Sequence, residues 1–67
     1  MTKQDAIEAM LEGKKVRHAN YFSDNEWVTA LSPSVYLFED GVKCDARMFW
    51  ADRSGIGFES DWELFES

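Results

Sequence analysis

A chain of 67 residues carrying a formal net charge of −6 amounts to one domain, and its seven basic residues form no stripe able to neutralise a phosphate backbone, which argues against direct nucleic-acid binding. Cys44 is the only cysteine and His18 the only histidine, so an intrachain disulfide is ruled out and a zinc site is not expected. No apolar run approaches the roughly 18 residues that span a bilayer, and no signal segment precedes the first helix, so a reducing cytoplasm and no membrane are expected.

Thr2 suits a helix N-cap, with Asp5 three residues on to complete it. Ala6, Ile7, Met10 and Leu11 then recur at helical spacing, and Gly13 supplies a left-handed stop before Lys14 and Lys15. About three turns are too few to stand alone, so the apolar face must dock on something. From Lys15 to Ala19 the period changes to two, with Val16 and His18 opposite Lys15 and Arg17. A polar loop from Asn20 to Asn25 surrounds Tyr21 and Phe22. Glu26 to Leu31 reads as a second strand with Trp27, Thr29 and Leu31 on one face, broken by Ser32-Pro33-Ser34. Val35 to Glu39 and Val42 to Asp45 read as a hairpin joined by a tight primed turn at Asp40-Gly41. Arg47 to Gly55 is open between a helical turn and more strand, Ser54-Gly55 with Gly57 reads as a mobile loop, and Trp62 to Glu66 alternates as a closing strand.

These elements predict a single domain over residues 1–67 of the α+β class, one N-terminal helix packed on a small antiparallel sheet of four to five strands. Ten aromatic rings are available to fill its core. One helix covers one face, however, and Tyr36 and Phe38 oppose Val35 and Leu37, while Phe65 opposes Trp62 and Leu64. The surplus rings predict a homo-oligomer with two-fold symmetry.

Few residues suggest chemistry. His18 reads as a hydrogen-bonded rim imidazole or as a ligand contact, and no serine sits in a nucleophile-elbow context beside it. The carboxylates match neither a calcium loop nor a glycosidase pair in a deep cleft. Cys44 reads as an inward, inert thiol. No catalytic residue, metal or cofactor is expected, and the chain reads as a non-enzyme. Arg17, Arg47 and Arg53 are either surface ion-pairing groups or forks for a phosphate, with Tyr21, Phe22, Trp27 and Trp50 as rings on which a base would stack.

The run Ala6-Ile7-Glu8-Ala9-Met10-Leu11-Glu12-Gly13-Lys14-Lys15-Val16 resembles the opening of many small, uncharacterised bacteriophage and prophage proteins. Asp61-Trp62-Glu63-Leu64-Phe65 resembles their ending, and Glu26-Trp27-Val28, Phe38-Glu39-Asp40-Gly41 and Phe49-Trp50 with Arg53 resemble their middle. More distantly, both ends are similar to the phage anti-Thoeris proteins, oligomeric sponges that sequester the nucleotide signal of a bacterial immune system. In that family an Arg commonly stands two residues after the exit valine and a Trp three later, where this chain has His18 and Tyr21.

The resemblance implies a small cytoplasmic phage accessory protein that sequesters a nucleotide-like immune signal in an oligomer. Its expected ligand-binding residues are Arg17, His18, Tyr21, Trp27, Trp50 and Arg53. The alternative is an acidic inhibitor that binds and blocks a host protein, anchored by rings such as Trp62 and Phe65.

Overall fold

The computed structural model describes residues 1–66. In chain order the elements are α1 (Lys3–Leu11), β1 (Val16–His18), β2 (Val28–Ser32), β3 (Val35–Phe38), β4 (Lys43–Asp45), α2 (Ala46–Ala51), a 3-10 turn (Ile56–Phe58) and β5 (Trp62–Leu64). The strands form one antiparallel sheet in the order β4-β3-β2-β1-β5. This is the expected α+β architecture, a helix across a five-stranded sheet, with a second short helix added.

Helix α1 starts on a complete capping box: Asp5 N–H donates to Thr2 Oγ1, and Thr2 N–H to the Asp5 carboxylate. It ends in a Schellman motif, with Gly13 N–H bonded to Met10 O, Lys14 N–H bonded to Ala9 O, and Gly13 at φ +88°. Ala6, Ala9 and Met10 are buried in the core, whereas Leu11 is exposed rather than part of the buried stripe.

The β3–β4 hairpin differs from the primed turn the sequence suggests. Gly41 has φ +86° but Asp40 does not have a positive φ, and the strands close through Phe38 N–H to Val42 O and Gly41 N–H to Phe38 O. Glu39-Asp40-Gly41 is therefore a three-residue loop ending in a left-handed glycine, and the Asp40 carboxylate holds it by accepting from Val42 N–H. The β2–β3 connection also uses residues without positive φ, Pro33 and Ser34. Unprimed turns splay a hairpin, and the register shift between Ala30 and Ser32 absorbs the misfit as a bulge at Leu31.

Asp45 decides the segment whose conformation the sequence left open. It ends β4, and its carboxylate accepts from Arg47 and Met48 N–H, capping α2. That helix seats Ala46 and Phe49 on the same face as α1, so Tyr36 and Phe38 are core-facing and Val35 and Leu37 point to the other side. The ring surplus inferred from a single covering helix is thereby reduced: Tyr36 is buried under Phe49 and Trp50, and donation from Trp50 Nε1 to its hydroxyl satisfies it.

Trp62 is the centre of the core. Phe22, Phe49, Trp50 and Phe58 surround its indole, and Nε1 donates to Phe58 O. Burying a ring of this size contributes about 4–6 kcal/mol. A side chain so enclosed is no surface anchor, which removes Trp62 from the contacts proposed for a host-protein interface.

Candidate functional site

The loop that the sequence marks as mobile, 54–57, is tied down by His18. The imidazole is fully buried, its Nδ1 accepts from Asn20 N–H at 3.1 Å, and its Nε2 lies 2.8 Å from both Gly57 O and Ser60 O. An Nδ1 that accepts leaves the proton on Nε2, which donates to the two carbonyls. His18 thus staples the 57–60 segment to β1 and has no atom left for a ligand. This agrees with the packed, hydrogen-bonded reading of His18 and not with its place among the ligand contacts.

The staple shapes a cleft. The imidazole carries Tyr21 on one side, at 4.9 Å between ring centroids, and Phe58 at 5.1 Å, and those two rings lie 4.6 Å apart. Tyr21 rests directly on Gly57, where a Cβ would meet its hydroxyl at 2.6 Å, so the ring keeps this position only while residue 57 lacks a side chain. Tyr21, Phe22, Phe58, Asp52 and Arg53 line an open cleft of about 260 Å³. The first two come from the β1–β2 loop, Phe58 from the 3-10 turn, and Asp52 and Arg53 from the end of α2.

Arg53 is the electrostatic feature of this cleft. Its guanidinium lies 4.2 Å above the Phe49 ring centroid and 5.8 Å from that of Phe38, and Nη1 donates to Phe49 O at 3.3 Å. Among the described residues the ion pairs join Lys14 to Glu12, Arg17 to Glu63 and Arg47 to Asp45, and Arg53 takes part in none of them. Asp52, exposed beside it, also lines the cleft.

The remaining expected site residues lie elsewhere. Arg17 is on the opposite face of β1 from His18, where it pairs with Glu63 and donates to Phe22 O. Trp27 is on that same outer face, with the Lys15 ammonium 4.4 Å from its ring centroid and Phe65 beside it. Trp50 lies between α1 and α2, bonded to Tyr36 and covered by Lys3, on a shallow groove of about 450 Å³ that Ile7 and Arg47 also line. Of the six, only Tyr21 and Arg53 share a cleft.

Phe58 and Asp52 complete it and were not singled out. Phe58 is hidden in Gly-Ile-Gly-Phe, which reads as loop punctuation, and no local signal marks Asp52. Burial raises the Cys44 thiol pKa above its ordinary value, Arg53 opposing and Asp45 and Asp52 adding to the rise, which disfavours the thiolate. Among the described residues no three His, Cys, Asp or Glu side chains gather as a metal site, and no helix is long and apolar enough to cross a membrane.

The cleft has the parts to hold a small planar anion: the exposed Tyr21 ring beside half-buried Phe58, a guanidinium fork, and a carboxylate that accepts from amino groups. No family model, curated protein or solved structure matches this chain.

Proposed function

We propose that this chain is a small non-enzymatic binding protein that holds a nucleotide-like molecule in the Tyr21–Arg53 cleft and releases it unchanged. The base stacks on Tyr21 or Phe58, a phosphate meets Arg53, and an amino group of the base donates to Asp52. One observation carries the reading. In a chain with 13 carboxylates, a half-buried guanidinium stands without any of them as partner, beside a ring that is 60% exposed. An anion supplied from outside is the complement such a group lacks. The cleft is slightly below the ~300–1,000 Å³ of typical ligand pockets, which suits one nucleotide unit better than a dinucleotide. Stoichiometric capture of such a molecule is the role of a phage accessory protein that withholds an immune signal in the bacterial cytoplasm.

Titration calorimetry against cyclic nucleotides and ADP-ribose-type compounds, with native mass spectrometry to show the ligand intact, tests the proposal. Binding of at least one class is expected, weakened roughly tenfold or more in Arg53→Ala and in Tyr21→Ala, which corresponds to about 1.4 kcal/mol each. Absence of heat with every compound at high micromolar protein overturns it.

A further inference from the structure

The shallow groove between the two helices holds a second set of side chains that nothing above has used. Lys3 and Ile7 of α1 stand on one side and Arg47 and Trp50 of α2 on the other, with Pro33 and Tyr36 from the β2–β3 hairpin also lining it. The chain has 13 carboxylates, yet none of the residues lining this groove is acidic. The Tyr21–Arg53 cleft, by contrast, includes Asp52, and the cleft beside Lys14 and Lys15 includes Glu66.

Its polar side chains are all donors with something left to give. The Lys3 ammonium lies 4.8 Å from the Trp50 ring centroid and joins no ion pair among the described residues. Arg47 is 95% exposed, and only its Nε approaches a carboxylate, that of Asp45 at 3.8 Å. That same Asp45 oxygen already accepts from Arg47 and Met48 N–H, so the fork of the guanidinium is unspent. Tyr36 is 3% exposed; its hydroxyl accepts from Trp50 Nε1, and no described residue accepts its own proton.

We infer that this groove docks an acidic peptide segment of a partner protein, an apolar side chain lying on Ile7 and Trp50 while flanking carboxylates meet Lys3 and Arg47. Charge complementarity selects the occupant, because two cations and a free hydroxyl proton call for acceptors that the lining lacks. Shape selects a peptide over a free small molecule. A groove this shallow encloses little of a small ligand, whereas a peptide crosses it and is held on both walls. An exposed cation–π contact holds Lys3 weakly, so an incoming carboxylate draws the ammonium aside and bares the Trp50 ring. The groove shares no lining residue with the nucleotide cleft, so the inference stands apart from the proposed function.

Proton–nitrogen correlation NMR of the full chain tests it. The probes are capped octapeptides with a central Leu or Phe flanked on both sides by Asp and Glu, the same peptides with Lys or Ser replacing the acids, and free indole-3-acetate. The acidic peptides are expected to move the Trp50 Nε1–H signal and the Lys3 and Arg47 amide signals, with Kd below about 1 mM, and to leave the indole signals of Trp27 and Trp62 in place. Lys3→Glu and Arg47→Glu, both in the first turn of a helix and outside the core, are each expected to weaken binding about fivefold or more while far-UV circular dichroism stays native. No movement of these signals with any acidic peptide at about 2 mM overturns the inference. Equal movement with the Lys or Ser peptides overturns it too, as does wild-type affinity in either folded variant. Indole-3-acetate binding as tightly as the acidic peptides overturns the choice of a peptide.

Discussion

Replacing His18 by Phe tests whether the imidazole is a staple. Phe keeps an aromatic ring against Tyr21, Phe58 and Trp62 but is larger than imidazole, so crowding against the Gly57 and Ser60 carbonyls adds to the loss of hydrogen bonds. The substitution removes the acceptor of Asn20 N–H and the donor shared by Gly57 O and Ser60 O. A buried group left without its partner costs about 1–3 kcal/mol, and partial access of water to the exposed Asn20 and Ser60 lowers the sum to about 2–4 kcal/mol. A core this small rarely supplies more than about 3–5 kcal/mol of net stability. The variant should therefore be marginal at 25 °C in urea unfolding followed by tryptophan fluorescence. His18→Gln, whose amide nitrogen reaches the position of Nε2, should recover part of the loss. Equal stability of His18→Phe and the wild type, within about 0.5 kcal/mol, would refute the staple, because the lost hydrogen bonds and the larger ring both act to destabilise.

Other consequences are as direct. Gly57→Ala should push the Tyr21 ring off the cleft wall, since the added Cβ meets its hydroxyl. Calorimetry should show ligand affinity falling about three- to tenfold with stability nearly unchanged. Asp45→Ala removes the α2 N-cap and should cost about 1–2 kcal/mol by thermal melting, while Asp45→Asn keeps most of that. Burial is the main cause raising the Tyr36 pKa above 10.0 and the Cys44 pKa above 9.0. Each group stays neutral longer in the folded chain than in the unfolded one, so its contribution is complete below pH 9 and is lost as pH rises through the folded values. Stability should therefore fall above about pH 9–10, and less steeply in Tyr36→Phe.

Helix α1 is legible in the sequence because all its signals are local: cap, period and glycine stop each name their own position. The hairpin around Gly41 is legible for the same reason, though the φ of its neighbour, and with it the turn type, depends on loop length. Helix α2 is not, since Met48, Phe49 and Trp50 are a contiguous apolar run that fits either period. The cap that settles it comes from a residue that also ends a strand. Which face of β3 is inner depends on α2 in turn, so the ring surplus was overestimated. The cleft is least legible of all. Tyr21 and Arg53 meet through the folding of a loop onto a helix end, and the residue holding that loop in place, His18, had been grouped with the ligand contacts.

Arg17 was grouped the same way, and it acts from the opposite face of the sheet. Its side chain is 14% exposed, and it is held by the Glu63 carboxylate while Nη2 donates to Phe22 O at 3.0 Å. Phe22 immediately follows Tyr21, so the guanidinium fixes the backbone that carries the cleft's exposed ring. Arg17→Met keeps the apolar stem and loses the fork, releasing the loop while leaving every cleft residue in the chain. The hydrogen bond from a charged group to Phe22 O contributes about 1.5–3 kcal/mol to order in that loop. If about 1 kcal/mol of this must be regained on binding, affinity falls about fivefold. Arg17→Lys should restore little, because one ammonium cannot bridge Glu63 and the Phe22 carbonyl in the geometry of the fork. The distinguishing measurement is amide hydrogen exchange over 20–26 beside calorimetry: exchange there should quicken as affinity drops. Unchanged affinity in Arg17→Met with quickened exchange would show that Tyr21 has no part in holding the ligand.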